Sequence, residues 1–196
     1  MTPQTIITEA RDILNDTDSA GYRQTDAELL RYVNDGMKEV SRVNPSLFTT
    51  LGDLICTAGA VEQTVTFLGA QMVTDVVCIH NGAAVIQSNM DALDKFLPSW
   101  RTATAGAAVN WMRKPNDPLR FFIYPPAPAS QTLDVMYISN PTELAIGDTI
   151  SEIPAAMQPA LVDYVVYRAE SKDDEHIASG RATSYFQAFE MKVKGS

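Results

Sequence analysis

The chain is poor in the residues from which active sites are usually built. Its 196 residues include two histidines and two cysteines. His80 and His176 are too few for a His-rich metal site within one chain. Cys56 and Cys78 lie far apart and form no CxxC pair. Reduced, buried thiols are therefore the expectation, although sequence alone leaves a disulfide open. There is no glycine-rich phosphate loop, no GxSxG and no HExxH. The N-terminus lacks a basic segment followed by an apolar run, which speaks against a signal peptide. No window reaches the length of a membrane helix. The expectation is a chain with no catalytic residue, no cofactor, no metal and no membrane partner.

Positive charge is also scarce. Fifteen Lys and Arg stand against 24 Asp and Glu, for a net charge of -9. A folded chain this acidic does not bind DNA or anionic membranes by bulk electrostatics. The charge serves solubility, or it keeps a surface close to DNA without adhesion. A hydrophobic fraction of 45% and a charged fraction of 20% describe an ordinary globular chain. The length suits one domain, or one domain with a large insertion.

Periodicity divides the chain in three. Ile6, Ile7, Ala10, Ile13 and Leu14 share one face of a helix over 5–15. Thr25-Asp26-Ala27-Glu28 has the form of a capping box, in which Thr25 and Glu28 satisfy free amides at a helix start. Leu29, Leu30, Val33, Met37, Val40 and Val43 continue as an apolar stripe until Asn44-Pro45. Gly36 inside that stripe weakens the helix and marks a close helix approach. From Leu47 to Ile150 the pattern turns to strands. Val73–His80 and Ala83–Gln87 flank Asn81-Gly82, which predicts a hairpin with a type I′ turn. Val109–Arg113 and Leu119–Tyr124 flank the turn Lys114-Pro115-Asn116-Asp117-Pro118 and predict a second hairpin. Met90–Phe96 reads as a short helix and Thr132–Ile138 as a strand. Helix returns from Pro154 to about Ile177 and from Arg181 to Val193. The predicted fold class is α+β. Residues 1–46 and 152–196 form a helical bundle, and residues 47–151 form an inserted, mainly antiparallel β-rich domain.

Few residues carry a functional reading. Cys78 and His80 can share one strand face as a thiol nucleophile and base, but nothing nearby marks an oxyanion hole. Asp173, Asp174, Glu175 and His176 look metal-like in composition, yet consecutive helical residues fan around the axis. The segment Leu161–Glu175 is more specific. Its first nine residues carry two charges and its last six carry five. A helix through both enters a core and leaves it again. Tyr164, Tyr167 and Arg168 lie in that segment. The Arg168 guanidinium needs a carboxylate, a carbonyl or an aromatic face. Asp163 is poorly spaced for it on the same helix, so the partner is expected across the bundle or on a neighbouring subunit. Trp100 and Trp111 read as core or interface anchors. Lys192 and Lys194 lie in the last segment, Gln187–Ser196, which is a candidate for contact beyond the bundle or else a frayed tail. The uncharged loop 102–108 is a candidate contact element.

Four segments resemble, in order, the phage head-to-tail adaptor family, of the tail tubular protein A-like kind. They are Tyr22–Gly36 (YRQTDAELLRYVNDG), Leu93–Trp100 (LDKFLPSW), Asn116–Pro126 (NDPLRFFIYPP) and the segment from Leu161 (LVDYVVYRAESKD). The chain departs from the family pattern where Tyr22 precedes Arg23 and where Gln24 stands at a commonly aromatic position. The resemblance implies a non-enzymatic virion protein at the head–tail junction, present in the host cytoplasm before assembly. It implies a homo-oligomer, a dodecameric ring between the portal protein and the tail tube or nozzle protein. Genomic DNA would pass through the lumen without specific binding. It also implies that a C-terminal segment can dock onto the portal. The alternatives are another head- or tail-completion protein, such as a tail terminator, and a small cysteine hydrolase using Cys78.

Overall fold

The structure is a computed structural model that describes residues 1–172 and 180–195. It is α+β, with five helices and two mainly antiparallel sheets among the described residues. Two compact units emerge. One joins Met1–Phe48 to Pro141–Ser196, and the other is Thr49–Asn140.

The first unit is helical. Helix α1 spans Pro3–Leu14. Thr2 caps it by accepting from the Thr5 amide, and Pro3 stands in the first turn, where its missing N–H costs nothing. Helix α2 spans Asp26–Val43 and starts on the anticipated capping box. Thr25 Oγ1 accepts from the Glu28 amide at 3.2 Å, and Glu28 Oε2 accepts from the Thr25 amide at 3.4 Å. Helices α4 (Gln158–Lys172) and α5 (Arg181–Lys194) complete the unit. Helix α4 packs on α1, α2 and α5. It therefore buries residues around most of its circumference, from Ala160 to Glu170. Full burial of each Leu, Val or Ile in such a core contributes roughly 1.5–3 kcal/mol.

Gly36 lies at the closest approach of α2 to α4. A Cβ there would stand 3.0 Å from Tyr164 Cδ1 and 3.2 Å from Leu161 Cδ2. Polar side chains are also used inside. Arg11 is only 5% exposed, and its guanidinium donates to Asp16, Asp26 and the Gln24 carbonyl at 2.7–2.8 Å. The Tyr22 ring covers it at 3.5 Å. Asn34 is buried and pairs with both backbone groups of Leu144. Its Nδ2 donates to the carbonyl at 3.1 Å and its Oδ1 accepts from the amide at 2.8 Å. One side chain thus ties the stretch after Pro141 to α2. The Asp173–His176 cluster and the predicted helix end near Ile177 lie outside the described residues.

The second unit holds two sheets rather than one. The first has the order β1-β7-β3, formed by Thr49–Ile55, Thr132–Ser139 and Ala70–Ile79. The second has the order β2-β6-β5-β4, formed by Glu62–Thr64, Arg120–Tyr124, Asn110–Arg113 and Ile86–Gln87. Helix α3 spans Met90–Phe96, as its pattern predicts. Leu54, Val76, Trp111, Phe121, Ile123, Leu133 and Val135 form the common core. The hairpin at Lys114–Pro118 forms as expected, with β5 antiparallel to β6.

The turn at Asn81-Gly82 differs from expectation. Asn81 is left-handed at φ 56°, but Gly82 has no positive φ, so the type I′ geometry is absent. A short antiparallel hairpin nevertheless forms, with Cys78 bridged to Ala84 and the Ile79 and Val85 amides donating to the Ala83 and Val77 carbonyls at 2.9 and 3.1 Å. The next residues pair instead with β5, in parallel. The competing partner wins because the Val109 and Trp111 carbonyls accept from Ile86 and Ser88 at 2.9 and 2.8 Å. Strand β1 was not read from the sequence as a strand. Gly52 and Asp53 dilute its β-propensity. Packing makes the glycine necessary, since a Cβ would lie 2.8 Å from Phe67 Cε2 and 3.0 Å from Tyr137 Cε1.

Candidate interaction surfaces

Among the described residues, each one singled out from the sequence has its contacts within its own unit. In the helical unit, Arg168 donates to Asp35 Oδ2 at 3.1 Å and to the Tyr164 hydroxyl at 3.3 Å. The Tyr32 ring lies 5.1 Å from its guanidinium carbon. Its partner is thus across the bundle, on α2. Burial and the Arg168 guanidinium act oppositely on the Tyr164 hydroxyl, and burial prevails, so its pKa stands above the ordinary value. Tyr164, Tyr167, Phe186 and Phe189 form an aromatic cluster with centroid spacings of 5.0–6.1 Å. Lys192 is ion-paired with Asp163, and Lys194 reaches Glu190 at 3.3 Å. A polar cavity of about 510 Å³ beside Arg168 is lined by Glu28, Tyr32, Asp35, Lys38, Glu143 and Lys172. Arg168 pairs there with Asp35, and Lys172 and Arg31 with Glu28, so cations and carboxylates are intermixed as on a solvated surface.

In the β unit both tryptophans are core side chains. Trp100 is 1% exposed and donates its indole N–H to Asp94 Oδ1 at 2.7 Å. Arg101 stacks on it and pairs with the same carboxylate. These two donors hold the Asp94 carboxyl below its ordinary pKa. Trp111 is fully buried and packs edge-on to Phe121. The loop 102–108 is anchored by Gly106 N–H to the Pro126 carbonyl and by Ala108 N–H to Gln131 Oε1.

Cys78 and His80 do not form a nucleophile–base pair. The thiol donates to Asp134 Oδ2 at 3.2 Å, and His80 Nδ1 pairs with the other oxygen of the same carboxylate at 2.8 Å. The neighbouring carboxylate raises the Cys78 pKa, opposite to what thiolate chemistry requires. Cys56 is a buried free thiol, and Cys78 is free as well.

The surface features that sequence reasoning missed lie on the sheets. Strand β1 is an edge strand, paired only to β7 among the described residues. Its outward side chains are Leu51, Asp53 and Ile55, and Leu51 and Ile55 are 56% and 76% exposed. The alternation Leu51-x-Asp53-x-Ile55 is the signal that could have shown them. Ile86, Phe96, Leu97 and Val109 also stand exposed in this unit. Unpaired edges with apolar flanks are rarely left bare, because they template pairing with another chain.

No helix among the described residues is long and apolar enough to cross a membrane. No curated protein matches the chain. The family model of the SU10 adaptor protein matches residues 1–195.

Proposed function

The chain belongs to the SU10 adaptor family, a phage adaptor family, and on that premise we propose that it is a ring-forming subunit of the head–tail junction. In this reading it works without catalysis, as a structural virion component of the tail tubular protein A type. Twelve copies close between the portal and the tail tube or nozzle, a number taken from the family resemblance. DNA passes through the lumen. The helical bundle, residues 1–46 and 152–196, and the β-rich insertion, residues 47–151, make different neighbour contacts.

The family match over residues 1–195 carries this reading. Two physical observations support it. Strand β1 presents an unpaired edge with Leu51 and Ile55 on its outward face, which is the kind of surface that subunit contact covers. The net charge of -9 disfavours adhesion to phosphates, so DNA could slide past such a surface rather than stick to it. Lys192 and Lys194, at the end of α5, belong to the segment assigned here to portal contact. Each would exchange a present partner, Asp163 or Glu190, for a carboxylate of the portal.

The test is the mass of the protein alone and mixed with its portal protein, by equilibrium sedimentation at virion-like salt. A ring-sized increment on the portal is the expected result. A stable small oligomer that never joins the portal would overturn the assignment.

A further inference from the structure

Asp53, His80 and Asp134 meet on the outward face of the three-stranded sheet. Asp53 on β1 stands directly opposite Asp134 on β7. Cys78 on β3 faces the same Asp134 from the other side. His80 lies two residues further along, held by its backbone N–H to the Thr132 carbonyl at 2.9 Å. Its Nδ1 is 2.8 Å from Asp134 Oδ1 and 3.5 Å from Asp53 Oδ1. One ligand atom from each of the three residues lies within 4.8 Å of the other two.

Two carboxylates in direct cross-strand register repel each other. The arrangement therefore favours a positive centre between them, which a protonated His80 or a bound cation supplies. One imidazole nitrogen and two carboxylate oxygens suit a borderline first-row divalent ion. Zinc binds such atoms at about 2.0–2.2 Å, which places tetrahedral ligand atoms about 3.3 Å apart. The observed 2.8 and 3.5 Å bracket that spacing. Asp53 and His80 side chains are 60% and 43% exposed, so they can move the few tenths of an ångström needed. Asp134 is the fixed member, with its side chain 17% exposed and its second oxygen held by the Cys78 thiol at 3.2 Å.

We propose that Asp53, His80 and Asp134 form a binding site for a divalent transition-metal ion of the zinc type, with Cys78 as a positioning residue that turns Asp134 Oδ1 toward the ion. The ion ties edge strand β1 to the end of β3 across β7. Water or a group from another molecule completes its coordination. The expectation of a chain without a metal site rested on the scarcity of histidine. Here a single histidine suffices because sheet register supplies the two carboxylates. The proposal does not depend on the adaptor reading.

The test uses the full chain, stripped of metal, titrated with Zn²⁺ by calorimetry and with Co²⁺ by absorption spectroscopy. One ion per chain is expected, with cobalt d–d bands. Asp53→Asn and His80→Gln should each weaken binding by at least about tenfold. His176→Gln, which alters the other histidine, should leave it unchanged. Circular dichroism of the metal-free variants verifies folding, and Asp53→Asn at an exposed side chain keeps the test open if His80→Gln does not fold. Absence of uptake overturns the site, and so does affinity indifferent to Asp53→Asn and His80→Gln. Loss of binding in His176→Gln overturns it too. A sulfur-to-cobalt charge-transfer band, abolished by Cys78→Ser, overturns the positioning role and makes Cys78 a ligand.

Discussion

The two units put opposite chemistry where it would least be expected. The helical unit takes charge inward. Arg11 and Asp16 are both nearly buried, and Asn34 is spent on a backbone pair with Leu144. Its exposed large apolar side chains among the described residues are Ile13, Tyr22 and Met191. The β unit does the reverse. Its core cluster is apolar, while Leu51, Ile55, Leu68, Met72, Val77, Ile86, Phe96, Leu97 and Val109 stand exposed. Among the described residues the helical unit thus leaves few large apolar side chains in solvent, whereas the β unit keeps apolar surface for something else to cover. A buried ion pair specifies a partner inside the chain. An exposed apolar edge specifies one outside it.

Substitutions can break this contrast in order of their effect on stability. Arg11→Ala leaves Asp16 buried without its cation and should cost roughly 3–5 kcal/mol. Both tryptophans lie in the β unit. The far-UV circular dichroism midpoint in urea should therefore fall further than the tryptophan fluorescence midpoint. Coincident shifts would mean that the units unfold as one. Gly52→Ala is the mirror experiment. It drives a methyl into Phe67 and Tyr137 and should cost roughly 1–3 kcal/mol, read first by fluorescence. Gly36→Ala gains helix propensity but crowds Tyr164 and Leu161, for a net loss of about 1 kcal/mol by denaturant titration.

Acid should not separate the units. Glu28 is held below its ordinary pKa by the Lys172 hydrogen bond, and Glu62 by Lys114 and then Arg120. Both carboxyls are depressed on folding. Their contributions are therefore present above the unfolded value of about 4.3 and disappear as pH falls through the lower folded values. Both spectroscopic signals should weaken in that same window, and a split would assign the acid sensitivity to one unit. Leu51→Glu with Ile55→Glu sharpens the contrast most. Stability should change by less than about 0.5 kcal/mol, while assembly with the portal in a sedimentation assay is lost. Retained assembly would remove the β1 face from the contact surface.

Legibility followed the range of the interactions. The capping box at Thr25, the short helix at Met90–Phe96 and the close approach at Gly36 are local signals, and all three stand in the structure. The hairpin at Lys114–Pro118 is also nearly local. By contrast, β1 pairs with β7 more than seventy residues later, as Thr49↔Ile138 shows, and no nearby residue announces that. Ala83–Val85 returns along β3 as the turn signal predicts, whereas Ile86–Gln87 pairs with β5, a partner set by distant main-chain acceptors that the turn does not announce. Among the candidate residues, the need of Arg168 for a partner was legible, while Asp35 as that partner was not. The cross-strand facing of Asp53, Asp134 and Cys78 depends wholly on register, which composition does not encode.

The pairing of Thr49 with Ile138 has one more consequence. The β unit begins at Thr49 and ends at Asn140, so its entrance and exit are neighbours, about one strand spacing of 5 Å apart. A segment with adjacent ends is a cassette. It can be lengthened, trimmed or exchanged at a single seam, because a short linker closes the gap at small entropic cost. Recombination between related genes would then trade whole β cassettes while leaving the helical frame, with its buried Arg11 and Asn34, in place.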